Sequence, residues 1–355
     1  MSATSAAPAG ASPAAPDGPR LTGNGRRMAA VIVLVPIIVT LALWAFAWPA
    51  ARSAPNDLPV GVAGPTAAAA GVEEQLQSQG GAFEVHRYAD EAAARDAIED
   101  RSVYGAVVVT QGGPKLLTAS AAGPVVSQLL TQAVTAQAPE GTQVATEDVV
   151  AAPENDPRGA ALGASVMPMA IAGVAAGAVV TVLGLRGMRA ALALAVTAAV
   201  VGVVAVALTH SWLGVLTGNW WAEAGAFGLA ALAISATVAG LAALLGSAGI
   251  GLGAFLMVLL GNPFSGVTSA PELLPQPVGM IGQWLPPGAG GTLMRSVSFF
   301  DGAGGAGPAV TLGIWAAVGL VAVLIGARSR RSSGSRPAQA PDTAAGAQPQ
   351  GVQVS

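Results

Sequence analysis

The sequence predicts an α-helical polytopic membrane protein with six transmembrane helices and a small α/β domain between the first and second helices. Charged residues make up only 10% of the 355 residues, against about 25% in soluble domains, and the mean hydropathy is +0.60. Several apolar runs approach the roughly 20 residues that a helix needs to cross a bilayer. Between the first and second of these runs lies a long polar region in which strand patterns and helix patterns alternate.

Six apolar segments are predicted to be the transmembrane helices. The first, MAAVIVLVPIIVTLALWAFAW (Met28–Trp48), contains no charged residue. A cleaved signal peptide is the alternative for this segment, because AFAWPA (Ala45–Ala50) offers the small residues of a cleavage site. The apolar core of the segment and the polar stretch before it are longer than those of a usual signal peptide, so we expect an uncleaved anchor. The remaining segments lie near Ser165–Leu185, Ala190–Leu208, Ala224–Leu245, Gly249–Leu260 (which is short) and Val310–Ala327.

Arginine placement predicts which way these helices run. Six helices place all the arginine clusters that flank them on one face, which the positive-inside rule identifies as the cytoplasm. We therefore expect a multi-pass protein of the plasma membrane with both termini cytoplasmic. Lys115 is the only lysine among many arginines, a bias typical of bacterial genomes rich in G and C. The clusters are Arg20, Arg26 and Arg27, then Arg186 and Arg189, then Arg328, Arg330, Arg331 and Arg336.

Residues 49–164 are predicted to form a small extracytoplasmic α/β domain, and residues 1–27 and 328–355 to be disordered cytoplasmic tails rich in Ala, Pro, Gly and Ser. In the domain, Asp90 is expected to cap one helix and Pro124 to lie in the first turn of another. The domain is net acidic, which argues against nucleic acid and other anionic partners. The predicted strands are LPVGVAG (58–64), FEVHRYA (83–89), VYGAVVV (103–109), PKLLTAS (114–120) and TQVATEDVV (142–150).

The motifs that carry enzyme chemistry are missing from the sequence. It has no cysteine, which excludes disulfides, thiolate catalysis and cysteine metal sites. Pro114 precedes the only lysine, Lys115, so there is no P-loop and the chain is not itself an ATPase. The GAGGAG of Gly302–Gly307 follows no buried strand, and neither His86 nor His210 has a partner at zinc-site spacing. The sequence therefore predicts no enzyme, no cofactor and no metal.

The predicted membrane helices contain no ionisable residue at depth, and Glu223 lies at an outer boundary. Since proton-coupled transporters need such residues, a proton-driven pump is disfavoured. Two GxxxG pairs, Gly173 with Gly177 and Gly249 with Gly253, predict close helix packing. This packing is either within one protomer or across a homodimer.

A proline- and glycine-rich segment, residues 261–307, lies before the last helix and is called the Pro-rich segment below. Its first part, GNPFSGVTSAPELLPQPVGMIGQWLPPGAGG (261–291), is too broken for a helix and too apolar for an ordinary loop. Irregular backbone at membrane depth needs a cover of protein or water, so we expect two half-length pieces, Glu272–Trp284 and Thr292–Phe300, that enter from outside and return. A plain outer loop on the membrane surface is the alternative. The candidate outer-gate residues are Pro263, Gly266, Pro275, Pro286 and Arg295.

This plan of one helix, an outer domain, five more helices and a Pro-rich segment before the last resembles that of the ABC type-2 transporter permeases. It is most similar to the phage infection protein (Pip/YhgE)-like branch. The resemblance implies a permease-like subunit of an export or efflux system in the lipid bilayer, working with a separate ATP-binding cassette ATPase, and dimeric. The stretches that carry it are LPVGVAGP (58–65), DEAAARDAIEDRSVYGAVVV (90–109) and residues 261–302, with Pro275, Leu285, Pro286 and Arg295 at matching places.

A second function fits the same sequence. The connection between the second and third helices, LRGMRA (185–190), is hardly longer than a turn, whereas such permeases usually place an ATPase-coupling element there. The alternative is therefore a non-transporting cell-envelope protein, in which the extracytoplasmic domain binds a partner and the helices serve as its platform.

Overall fold

The computed structural model describes residues 23–137 and 144–333. The chain divides into two compact units, Met1–Trp48 and Pro49–Ser355. The first unit holds most of one long helix, and the second holds a five-stranded sheet with its helices and a group of apolar helices. Helix is observed at residues 23–27 and 328–333, which the sequence assigns to the disordered tails; the rest of both predicted tails lies outside the described residues.

Helices dominate the part of the chain that the structure describes. Two of them continue into π-helical turns, α6 through Ala207–Trp212 and α8 through Phe255–Gly261. The helices are α1 (Gly23–Ala51), α2 (Thr66–Gln77), α3 (Glu91–Glu99), α4 (Pro124–Gln137), α5 (Ala160–Val182), α6 (Met188–Val206), α7 (Trp220–Leu245), α8 (Ser247–Ala254), α9 (Val278–Trp284), α10 (Pro286–Phe299) and α11 (Ala306–Ser333).

Five helices are long and apolar enough to cross a membrane, which supports a multi-pass helical membrane protein. The segment near Gly249–Leu260 corresponds to a shorter apolar helix, Ser247–Gly261, so five described helices reach spanning length where the sequence predicts six. This helix is bounded by Gly246, whose φ of +71° separates it from α7, and by Pro263, which cannot continue a helical hydrogen-bond ladder. The five are Asn24–Ala51, Ala160–Val182, Met188–Trp212, Trp220–Leu245 and Ala306–Gly326.

α7 is the central helix of the apolar group. Its most apolar stretch is 61% buried, against 22–28% for α5, α6 and α11. Neighbouring helices approach it through small residues: a Cβ at Gly177 would collide with the Ser235 carbonyl oxygen, and one at Gly253 would collide with Val238. Their GxxxG partners, Gly173 and Gly249, likewise lie against Ile234 and Leu241. Both GxxxG pairs therefore pack against α7 of the same chain.

The sheet contains five strands in the order β2-β1-β3-β4-β5. β1 pairs parallel to β2 and β3, β4 pairs parallel to β5, and β3 and β4 form an antiparallel hairpin. The Asp90 Oδ1 accepts from the Ala93 backbone N–H at 2.9 Å, so the predicted cap of α3 is confirmed, as is Pro124 in the first turn of α4. The strands are β1 (Leu58–Ala63), β2 (Phe83–Tyr88), β3 (Gly105–Thr110), β4 (Gly113–Thr118) and β5 (Ala145–Asp148).

The Pro-rich segment contributes to the hydrophobic core on both faces of this sheet. Successive residues of a strand point to opposite faces, and each face has its own buried cluster. Ala270 and Leu273 belong to one cluster, and Phe300 belongs to the other. The backbone N–H groups of Ala54 and Asn56, just before β1, donate to the carbonyls of Leu273 and Glu272 at 3.0 and 2.9 Å. The segment is therefore built into the sheet's core.

Candidate functional site

The Pro-rich segment folds into a single 3₁₀ turn, Pro271–Leu273, followed by the two helices α9 and α10. The sequence places the first helical piece at Glu272–Trp284, but α9 begins only at Val278. Leu274 is extended, as a residue before proline prefers to be, and Pro275 and Pro277 keep the following stretch out of the helix. The second piece, predicted at Thr292–Phe300, begins earlier as α10, because Pro286 and Pro287 fit the first helical turn, where their missing N–H groups cost nothing.

Glycine permits the segment to fold tightly on itself. A Cβ at Gly282 of α9 would overlap the Phe264 carbonyl oxygen, and one at Gly288 of α10 would overlap the Gly282 carbonyl oxygen. Gly266 has a φ of +65°, a conformation that L side chains rarely adopt, and a Cβ there would also collide with Pro271. The irregular backbone is therefore covered by its own neighbouring turns, as apolar surroundings require.

A cavity of about 450 Å³ lies between the sheet and the Pro-rich segment. One wall is the α3–β3 connection, Arg101–Tyr104, and the other is formed by the 3₁₀ turn, α9 and α10. The volume falls in the range of small-molecule sites, about 300–1,000 Å³. Three charged side chains line this cavity, Arg101, Glu272 and Arg295, together with the polar side chains of Tyr104 and Gln283.

Arg101 joins the sheet to α10. Its Nη1 donates to the Thr292 carbonyl at 3.2 Å and to the Ser296 hydroxyl, and its guanidinium carbon lies 5.4 Å from the Phe300 ring centroid. Burial lowers the pKa of Arg101, but a guanidinium does not lose its proton in proteins. Arg101 therefore brings a fixed positive charge to the cavity.

Tyr104 and Glu272 form a hydrogen bond across the cavity wall. The Tyr104 hydroxyl donates to the Glu272 Oε2 at 2.8 Å. Burial, first, and the neighbouring Glu272 carboxylate, second, raise the pKa of Tyr104 far above its usual range. Tyr104 therefore stays a neutral donor at physiological pH and occupies one oxygen of the carboxylate.

Arg295 is the buried cation of the site, with 4% of its surface exposed. Its Nη2 donates to the Val267 carbonyl at 2.9 Å. Its Nε has no hydrogen-bond partner among the described residues. No salt bridge in the described part of the chain involves Arg295 or Arg101. Leaving a buried charged donor incompletely satisfied is costly, so this group calls for an explanation.

Of the five candidate gate residues, the structure places only Arg295 at the cavity. Gly266 is buried in the turn before Pro271, and Pro286 begins α10. Pro263 and Pro275 are half-buried and do not line the cavity. Arg101 and Tyr104 carry no local motif, so the sequence alone does not mark them as site residues. Glu272 is the one charged residue in 261–291, and that isolation is the signal that could have pointed to it.

A second polar contact lies between α6 and α7. Glu223 is fully buried and accepts from the Gly218 backbone N–H at 2.9 Å, and its Oε2 lies 2.8 Å from the His210 Nδ1. His210 lies in the π-helical turn after α6, and its ring contacts this carboxylate. Groups of three or more potential metal ligands do not occur within the described residues.

The sheet, the Pro-rich segment and the α6–α7 connection lie at one end of the apolar helices. The Asn155 side chain donates to the Gly214 carbonyl at 3.4 Å, and the Thr217 hydroxyl donates to the Ser298 carbonyl at 3.2 Å. The arginine-bearing α5–α6 connection lies at the opposite ends of α5 and α6. The cavity therefore lies at the helix ends far from these arginines.

Comparisons with protein-family models, curated proteins and solved structures gave no match. The resemblance to ABC type-2 permeases thus rests on the residues quoted above and stays a prediction.

Proposed function

We propose that the protein is the membrane-spanning, permease-like subunit of an ABC type-2-like export system in a bacterial plasma membrane, without an ATPase of its own. The cavity between the sheet and the Pro-rich segment is the observation that carries the proposal. A cavity with a few charged side chains on a largely apolar lining is typical of a small-molecule site, and its place at one end of the apolar helices, against irregular backbone, supports an outer substrate site or gate.

In this proposal six helices span the bilayer, with Ser247–Gly261 crossing it as a short helix that the Pro-rich segment continues. Both termini and the α5–α6 arginines lie in the cytoplasm, and the sheet lies outside. Exposed apolar side chains of α5, α6 and α11 contact lipid. A second copy of the chain completes the permease, and a separate ATP-binding cassette ATPase drives it.

One structural observation favours the second candidate, a non-transporting envelope protein whose outer domain binds a partner. α5 ends at Val182 and α6 begins at Met188, so the connection between them is a short turn. Such a turn offers an ATPase little surface on which to dock.

Co-purification separates the two candidates. The tagged full-length protein is solubilised in mild detergent from its own host, and the bound proteins are identified by mass spectrometry. The export proposal expects an ATP-binding cassette ATPase in the complex, and impaired export of a drug or lipid when the gene is deleted. Purification without any ATPase, together with unchanged drug and lipid export after deletion, contradicts the proposal and leaves the partner-binding protein as the explanation.

A further inference from the structure

We propose that the cavity binds an amphiphile whose anionic headgroup, a carboxylate or a phosphate, contacts the guanidinium groups of Arg295 and Arg101. This inference deepens the proposed function, since it names the substrate class of the cavity on which that function rests. Binding itself requires neither an ATPase nor transport, so it is tested separately.

Charge is the first argument. Two cationic and one anionic side chain line the cavity, Arg101 and Arg295 against Glu272, which gives a local net charge of +1. The chain as a whole carries −3. A carboxylate or phosphate ester with a single negative charge would balance the cavity. Because charge interactions weaken with distance and are screened by salt beyond about 10 Å, these nearest groups outweigh the acidic surface of the sheet region.

The incomplete pairing of Arg295 is the second argument. Its Nε lacks a protein partner among the described residues, although the side chain is buried and lines the cavity. The nearby Glu272 carboxylate does not form a salt bridge with it and already accepts from Tyr104. Guanidinium groups bind carboxylates and phosphates through paired N–H donors, so an oxyanion in the cavity would neutralise a guanidinium that no carboxylate of the described residues pairs with.

The apolar side of the cavity is the third argument. Met280 and Trp284 line it, yet 50% and 63% of their surfaces are exposed. The Trp284 carbonyl accepts from the Trp315 Nε1 at 2.7 Å, which ties the end of α9 to the apolar helix α11. A headgroup held by the arginines thus has an apolar exit beside it. An acyl chain leaving along Met280 and Trp284 would reach the surface that faces lipid.

The test measures displacement of tritiated oleate from the purified full-length protein in dodecyl maltoside by a scintillation proximity assay. The competitors are unlabelled oleate, oleoyl lysophosphatidic acid, the neutral monoolein and inorganic phosphate. We expect both anionic amphiphiles to compete and the other two to compete at least about tenfold more weakly. If monoolein competes as well as oleate, binding does not depend on the negative charge of the headgroup. If phosphate competes as well as oleate, binding does not depend on the acyl chain, and the ligand is not an amphiphile.

Substitutions locate the binding. Arg295→Gln is expected to weaken oleate binding about tenfold or more, the loss that a charge-assisted hydrogen bond represents. Arg87→Gln removes the same charge from the surface of β2 and is expected to change binding less than about twofold. Met280→Glu places a negative charge at an exposed position of the cavity and should also weaken oleate binding by repulsion. This variant tests the proposal if Arg295→Gln does not fold. Equal binding by the cavity variants and wild type overturns the proposal.

The two proposals fail differently. Oleate binding that depends on Arg295 in a protein without an ATPase or an export phenotype supports this inference and contradicts the export function. If deleting the gene impairs export, but Arg295→Gln does not and the protein shows no specific oleate binding, the export function is supported and this inference is contradicted.

Discussion

Truncating Leu273 tests whether the Pro-rich segment is part of the sheet's core. The side chain is 2% exposed and packs in the cluster that contains Leu58 and Val60. Leu→Ala at such positions removes the transfer free energy of the lost carbons and leaves a cavity, which together cost about 2–5 kcal/mol. We expect Leu273→Ala to lower the free energy of unfolding of the sheet region by about 3 kcal/mol.

The assay is urea-dependent pulse proteolysis of the full-length protein in a mild non-ionic detergent, scored by cleavage within the sheet region. Leu244→Ala is the matched control, because Leu244 is 52% exposed near the end of α7. Its expected effect is within about 0.5 kcal/mol. If both variants are cleaved at the same urea concentration, the Pro-rich segment does not support the sheet and the argument for a shared cavity wall fails.

Three further predictions concern backbone packing, pH and topology. Gly282→Ala would place a Cβ on the Phe264 carbonyl oxygen, so we expect the folded protein peak in size-exclusion chromatography to be lost. Gly225→Ala, at a position on α7 with open space around it, is the control and should elute as wild type. Hydrogen bonds from Lys115 and then Arg95 lower the pKa of Glu147, so the stability that its carboxylate contributes is present above the ordinary glutamate pKa of about 4.3 and is lost as the pH falls through the lowered pKa. We therefore expect Glu147→Gln to destabilise the protein at pH 7 and to match the stability of wild type in acid. An equal difference in stability at both pH values would refute this. With no native cysteine, Met280→Cys should react with a membrane-impermeant maleimide in intact cells and Met188→Cys should not, and the opposite pattern would overturn the orientation.

The charge of the cavity differs from the net charge of residues 49–164. The acidic balance of residues 49–164 argued against anionic partners, and it still describes the exposed surface of this region. Lys115, Arg95, Glu91 and Glu147 form an ion-pair network there. The cavity differs because two arginines from distant parts of the chain converge on it. A net charge summed over a region does not predict the sign of one buried site within it.

What the sequence by itself determined is local. Apolar runs predict helices that can cross a bilayer, and the cap by Asp90 and the proline in the first turn of α4 depend only on neighbouring residues. The prolines and glycines of residues 261–307 also predict a segment of irregular backbone interrupted by short helices. Each of these features is encoded within a few residues, because caps, turns and apolar periodicity act through adjacent backbone groups.

Only the tertiary structure decided where the site lies. Tyr104 meets Glu272 across 168 positions, and Arg101 meets Ser296 across 195. His210, in the π-helical turn after α6, meets Glu223 across 13 positions, a contact that the apolar pattern does not reveal. Contacts between distant segments depend on how all the helices and strands pack together, so Arg295 could be named from the sequence but its partners could not.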